Sequence, residues 1–407
     1  MTEKSKTYIL SLNGGSSSLK FSLYHSVSTK LEWAGSIDRI GEKNARLEIK
    51  DIAGQVLKNR IGNYKDFSAA VAAVMEWLKN DQHHYPLLAI GHRLVQGGAK
   101  HRKPLMITDG LLQSLDQLTY LAPNHLPDEI NIIKAFRSAY PHVQQIACFD
   151  TSFHRDMPPY AADYPLPAKF KEMGLIRYGF HGLSYEFIMQ ELAGLESPVA
   201  RQKIIIAHLG NGASMVAVKN GLSVDTTMGI SPVGGLVMGT RSGDLDPGVS
   251  LFLLKQAKMT PDELDDLLSK RSGLMAIAGI SDVQELLRLE PDHLKAKKAL
   301  TVFCYSARKF IGSLAAAMGG LDMLVFTGGI GENSAVIRDR ICRGLDFMGI
   351  ELDAKENEAN QPVISKMNSK VTVRVIPTNE ELMIARLTTG LLNDKIEPDR
   401  TLKNGSS

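Results

Sequence analysis

The sequence predicts an α/β protein built as two matching halves, on three observations. A strand, a polar glycine turn and a second strand open the chain in YILSLNGGSSSLKFSLY, Tyr8 to Tyr24. The same plan returns in KIIIAHLGNGASMVAVKNG, Lys203 to Gly221. Strand-like runs then alternate with amphipathic helical runs. At 407 residues the chain exceeds one ordinary core, so two domains are expected.

Taken in order, Ile9, Ser11, Leu19, Phe21 and Leu23 alternate with their neighbours as strand residues do, and short strands follow through Val56. DFSAAVAAVMEWLK turns helical, with Phe67, Val71, Val74, Met75 and Leu78 on one face and Asp66 as N-cap. LLAIGHRLVQGG is a buried strand ending in a glycine turn. A helix around Glu129 to Ser138 and the strand VQQIACFD complete the first half. In the second half, TPDELDDLLSKRSG is a fully punctuated helix. Thr260 caps it, Pro261 is its first residue, Glu263 closes a capping box, and Gly273 lies beyond its end. A long helix carries Leu300, Phe303, Ala307, Ile311, Leu314 and Met318 on one face and stops at Gly319-Gly320. DMLVFTGGIGENS reads as strand, glycine loop, then a helix from Asn333 or Ser334. VTVRVIPTNEELMIARLTTGLL supplies a last strand and helix, and the tail TLKNGSS is expected to fray. Two such halves would close on a ligand cleft.

The composition narrows the class of partner. With 47 basic and 44 acidic side chains the formal charge is +3, too balanced for nucleic acid or a membrane surface as main partner. The N-terminal MTEKSKTYILSL lacks a signal peptide's apolar core, and no apolar run approaches bilayer length. Cys148, Cys304 and Cys342 are odd in number and not spaced for metal, so reduced thiols in a cytoplasm are expected.

The glycine turns are the chemical signal. None is a Walker A loop, since NGGSSSLK lacks the Gly-Lys-Ser/Thr entry to a helix, GGIGEN precedes a helix but has no lysine, and HLGNG sits in a hairpin, yet each offers backbone N–H groups and small side chains to a phosphate chain. One alone is more often a plain turn; three spread over two halves form a pattern. Arg93 in GHRLVQGG and Arg241 in MGTRSGD lie at strand-to-turn edges, where an arginine can grip a carboxylate or phosphoryl group through two parallel bonds or serve as a loop salt bridge. His125, His154, His181 and His208 lie near turns without transition-metal spacing, and His181 in RYGFHG suits either a side chain carried into a cleft or a packed loop histidine. Asp150 ends a hydrophobic strand and Glu380 opens the last helix. Either carboxylate could serve hydrated Mg²⁺, and Glu380 with Glu381 could equally favour the helix dipole.

Together these segments resemble the acetate kinase (acetokinase) family of short-chain carboxylate kinases nearly end to end. GHR, FDTSFH, RYGFHG, HLGNG, MGTRSGD, MGGLD and FTGGIGENS stand in family order. The resemblance implies two duplicated ribonuclease-H-like domains of the actin/Hsp70/sugar-kinase superfamily, residues 1–151 with 385–407 and residues 152–384, usually in a homodimer. It implies reversible phosphoryl transfer from ATP to acetate with Mg²⁺, giving ADP and acetyl phosphate. By the same resemblance Asn13 and Glu380 are metal positions, Lys20 a nucleotide-phosphate contact and Arg93 the substrate arginine. Val95, Phe180 and Pro232 line the acyl pocket, and Asp150, His181 and Arg241 are catalytic. The nucleotide stretches are His208, Leu209, Gly210, Asn211 and Gly212; Asp282, Val283 and Gln284; and Gly329, Ile330, Gly331, Glu332 and Asn333. The chemistry agrees, since a carboxylate is already an anion at neutral pH and needs positioning and positive charge more than a base. Asp150 is then an orienting or metal-water group.

The chain departs from the family pattern at Gln96, where a histidine is common, and at Asn124, where a leucine would help line the acyl pocket. It departs again at Leu183 and Tyr185, and at Gly234, where an acidic residue is usual. A polar Asn124 beside a methyl would be costly unless hydrogen-bonded or turned away. A propionate or other short-acid kinase is therefore the neighbouring reading. An ATP-dependent switch without a small substrate is a more distant one, since it has no use for Arg93 and the short pocket.

Overall fold

Five antiparallel strands begin the chain: β1 Tyr8–Gly14, β2 Ser18–His25, β3 Leu31–Asp38, β4 Arg46–Asp51 and β5 Val56–Ile61. Three more follow, β6 Leu87–Leu94, β7 Leu105–Met106 and β8 Gln144–Phe149, and the sheet order is β5-β4-β3-β2-β1-β6-β8-β7. The structure, a computed structural model, describes residues 6–15, 17–80, 85–195 and 199–396; Ser16 of the first turn and the tail TLKNGSS lie outside them. A second sheet contains β9 Lys203–Leu209, β10 Ala213–Lys219, β11 Leu222–Thr226, β12 Met323–Thr327 and β13 Thr372–Val375, in the order β11-β10-β9-β12-β13.

The duplication is visible in strand order and direction. In the first sheet β1 pairs antiparallel with β2 and parallel with β6, and β6 runs parallel to β8. In the second β9 pairs antiparallel with β10 and parallel with β12, and β12 runs parallel to β13. The frame β3-β2-β1-β6-β8 thus recurs as β11-β10-β9-β12-β13. This is the duplicated α/β fold that the resemblance implies.

The chain forms two compact units, Met1–Ser152 with Asn379–Ser407, and Phe153–Thr378. In the first, Leu10, Phe21, Trp33, Val71 and Phe136 share one core between the sheet and the helices Phe67–Asn80 and Leu126–Ala139. Asp66 caps the earlier helix, its Oδ1 accepting from the Ala69 N–H at 2.9 Å. The helix Glu380–Ile396 belongs to this unit. In the second unit the capping box at Thr260 and Glu263 is complete. The long helix Leu294–Met318 ends at Gly319 with φ 73°.

One expected loop is a helix. Gly328–Asn333 follows β12 directly and is helical, with a second helix, Ala335–Cys342, capped by Ser334. Glycine is a poor helix former, so the reason lies in the ends. Glu332 Oε1 accepts from the Gly328 N–H at 2.8 Å, satisfying a free donor of the first turn. At the other end buried Arg338 donates from Nη1 to the carbonyls of Gly331 and Glu332 at 2.8 and 2.9 Å. Its remaining nitrogens hold Asn357 and Asn360. Gly328 itself has φ 76°, and a side chain there would lie 2.8 Å from the Leu209 carbonyl oxygen.

Candidate active site

In the first unit the candidate residues gather at the ends of β1, β6 and β8. Arg93 and Asp150 leave adjacent parallel strands, whose register pairs Leu94 with Phe149. Arg93 donates from Nε and Nη2 to Asp150 Oδ2 at 3.0 and 2.6 Å, and from Nη1 to the Gly14 carbonyl at 2.6 Å. Burial works against the guanidinium's charge, but Asp150, Glu129 and Glu380 together outweigh it and raise the arginine's affinity for its proton. Asn13, one residue before Gly14, donates from Nδ2 to Glu380 Oε2 at 3.0 Å and to Glu381 Oε1 at 2.9 Å. Lys20 pairs directly with Asn13 across β1 and β2, so the two share a face.

Glu129, on the helix Leu126–Ala139, is a member of this cluster from a stretch whose sequence predicts no more than a helix. Its Oε2 accepts from the Val95 N–H at 2.9 Å, and Oε1 lies 3.5 Å from Arg93 Nη1. Burial pushes its carboxyl up to about 7, with Arg93 and the Val95 N–H pulling the other way. No motif marks it; in the sequence it is one of two adjacent acids, Asp128 and Glu129, in the first turn of a helix after the PNHLP turn.

In the second unit His181, Arg241 and Gly212 come together. A side chain at Gly212 would lie 3.2 Å from His181 Nε2 and 3.3 Å from Arg241 Nη1, so glycine there keeps both groups over the turn. Arg241 also donates from Nη1 to the Pro232 carbonyl at 3.2 Å. His181 occupies left-handed backbone, φ 58°, a strained conformation for a histidine. Its ring stacks on His208 at 4.3 Å. His181 Nδ1 bonds Ser214 Oγ at 2.8 Å, and Ser214 Oγ bonds the hydroxyl of buried Tyr185. On the other ring, Ser184 Oγ bonds His208 Nδ1 at 2.8 Å and receives Thr378 Oγ1 at 2.8 Å. Tyr185 thus enters the histidine network through Ser214.

Beside that cluster lies a cavity of about 570 Å³ lined by Gly210, Asn211, Asp282, Val283, Gln284, Leu287, Gly329, Ile330, Asn333 and Ser334. It brings together residues from all three expected nucleotide stretches. Asp282 also caps its helix, accepting from the Glu285 N–H at 2.7 Å. Glu332 instead points into its own unit, where Oε1 also accepts from the Thr378 N–H at 3.0 Å. Leu209 and Gly331 are buried.

Of the expected pocket residues, Val95 lies in the first unit and Phe180 and Pro232 in the second. Phe180 is fixed by His154, whose Nε2 donates to the Phe180 carbonyl at 3.1 Å. Asn124 is exposed. Gln96 is fully buried, its Oε1 accepting from the Gly98 N–H at 2.9 Å. A side chain at Gly234 would meet Asp244 Oδ1 at 3.2 Å, so a carboxylate stands beside that position.

The second unit thus sets a histidine–arginine pair beside a cavity, and the first holds an arginine bound to carboxylates, groups of the kind that phosphoryl transfer to a carboxylate requires. The sequence profile of the Acetokinase family matches residues 8–386, and the chain belongs to that family. It is 42% identical to an acetate kinase of Methylocella silvestris over 95% of this chain and 98% of that protein. It is 40% identical to one of Carboxydothermus hydrogenoformans over 95% of this chain and all of that one. Among solved structures, a propionate kinase from Francisella tularensis matches with a TM-score of 0.88 at 35% identity, covering 94% of this chain and 98% of that one. A Porphyromonas gingivalis acetate kinase matches with a TM-score of 0.84 at 36% identity, covering 95% and 100%. Among the described residues, no helix is long and apolar enough to cross a membrane.

Proposed function

We propose that this chain transfers the γ-phosphoryl group of ATP reversibly to acetate, giving acetyl phosphate and ADP. The observation that carries the reading is the convergence of His181 Nε2 and Arg241 Nη1 over Gly212, two residues from the cavity wall at Gly210. In this reading the cavity binds the nucleotide, with His208, Leu209, Gly331 and Glu332 shaping it from behind, and Lys20 reaches its phosphates. Arg93 binds the acid's carboxylate, which is ionised at neutral pH and attacks phosphorus without a base. Asp150, held on Arg93 by two bonds, orients that arginine. His181 and Arg241 stabilise the charge that spreads over the transferring group. Val95, Phe180 and Pro232 receive the methyl group.

Asn13 and Glu380 would hold Mg²⁺. The Asn13 amide nitrogen donates to Glu380 and Glu381, so one amide and two carboxylates stand together, oxygen-bearing groups of the kind that suit a hydrated cation. The ion would neutralise phosphate charge when bound. On the family resemblance we also infer a cytoplasmic homodimer. A second copy would cover Leu251 and Phe252, exposed on the helix Pro247–Lys255, and light scattering tests it.

The test of function is acyl-phosphate formation from ATP, Mg²⁺ and formate, acetate, propionate or butyrate, trapped with hydroxylamine. Turnover peaking at acetate supports the reading. A peak at propionate favours the second reading, which the likeness to the Francisella propionate kinase structure supports. No product with any acid overturns both.

A further inference from the structure

We infer that Glu129 is a positioning residue for the acid substrate: one carboxyl group holds Arg93 and the Val95 backbone together, and its charge sets how strongly Arg93 attracts the incoming anion. The inference rests on the carboxylate-binding role proposed above for Arg93. Glu129 stands on a different element from both residues it touches. From the first turn of its helix it reaches the end of β6, accepting from the Val95 N–H with Oε2 and facing Arg93 Nη1 with Oε1. It thereby ties the proposed anion ligand to one wall of the proposed acyl pocket. Its side chain is 4% exposed, and Oε1 receives no hydrogen bond of good alignment, so only charge attraction joins it to Arg93.

The charge inventory gives the consequence. Arg93 already carries Asp150, and Glu380 faces it from the last helix. With Glu129 also ionised, one guanidinium is shared among several carboxylates before any substrate arrives. With Glu129 protonated, the Arg93–Asp150 pair is closer to neutral and a further anion is more welcome. Burial holds the Glu129 carboxyl near neutrality, where both forms are populated, with Asp128 on the same helix adding to that shift. Acid binding and proton uptake at Glu129 are then reciprocally linked.

Steady-state kinetics with acetate as the varied substrate, across about pH 6 to 8, tests this; acetate itself stays ionised throughout. In the unaltered enzyme the acetate KM should rise with pH over that range. Glu129→Gln keeps an acceptor for the Val95 N–H and removes the charge. We expect about a five- to tenfold lower acetate KM at the alkaline end, a flat pH trend, and kcat within about twofold. Glu129→Ala removes the acceptor as well and should raise the acetate KM, with the ATP KM unmoved in both variants. An unchanged KM in Glu129→Gln overturns the inference. So does a pH trend that survives in it, which would belong to another group such as His125 one turn earlier. If acetate is turned over and these effects are missing, only this inference fails. If no acid is phosphorylated at all, the functional reading fails and takes the inference with it.

Discussion

The two units use the same strand frame, yet set opposite kinds of group at its strand ends. At the ends of β6 and β8, the first unit presents a guanidinium already enclosed by its own carboxylates. At the ends of β9 and β12, the second presents glycine turns, a six-residue helix with three glycines and a cavity whose lining is uncharged except for Asp282, with His181 and Arg241 over Gly212 beside it. The difference teaches that strand order fixes where a ligand is met but not how. A compensated arginine has little charge to spare and suits one small anion held in one pose. Exposed backbone N–H groups, by contrast, suit a longer phosphate chain with many oxygens.

The largest effect should come from breaking the first arrangement. Arg93→Ala leaves Asp150, 1% exposed, without its cation. We expect activity to fall by more than about a thousandfold and stability by about 3–5 kcal/mol, read by hydroxylamine trapping and thermal unfolding. Arg241→Ala in the second unit should cost about a hundred- to a thousandfold in kcat with little loss of stability. Equal destabilisation by the two substitutions would erase the contrast between the two units. Gly212→Ala should be milder, about tenfold in kcat with a normal melting curve, because the new methyl displaces His181 Nε2 and Arg241 Nη1 by only a few tenths of an ångström.

The smallest effect concerns acid. Each unit holds a buried histidine, His92 in the first and His154 in the second, that burial lowers to about 4. The folded state therefore binds fewer protons than the unfolded chain between about pH 4 and 6.5, so stability is lost as pH falls through that window. His154→Gln should flatten the pH dependence by up to about 1.4 kcal/mol per pH unit. An unchanged slope would mean that the second unit's acid sensitivity lies elsewhere.

The fold was largely legible because its elements carry local signals. Asp66, the Thr260 capping box and Gly319 each mark an end that backbone hydrogen-bonding requires, and the paired hairpins exposed the duplication. The candidate site's clusters were legible where glycine or arginine broke a strand's pattern, as at Arg93, Gly212 and Arg241. Two things were not. GGIGEN reads as a loop because its helix is held by Glu332 and by Arg338, partners that local propensity does not weigh. Glu129 was hidden because its meaning lies in residues 34 and 36 positions away, which only the packed sheet brings to it.

The buried arginine behind that glycine helix also bears on binding entropy. Fixing a residue's backbone costs about 1–2 kcal/mol, so ordering the six residues Gly328–Asn333 costs roughly 6–12 kcal/mol. Arg338 and Glu332 meet that cost when the chain folds, not when a nucleotide arrives. A ligand entering the cavity at Gly329 and Ile330 meets backbone already in place, and its own contact energy goes into affinity.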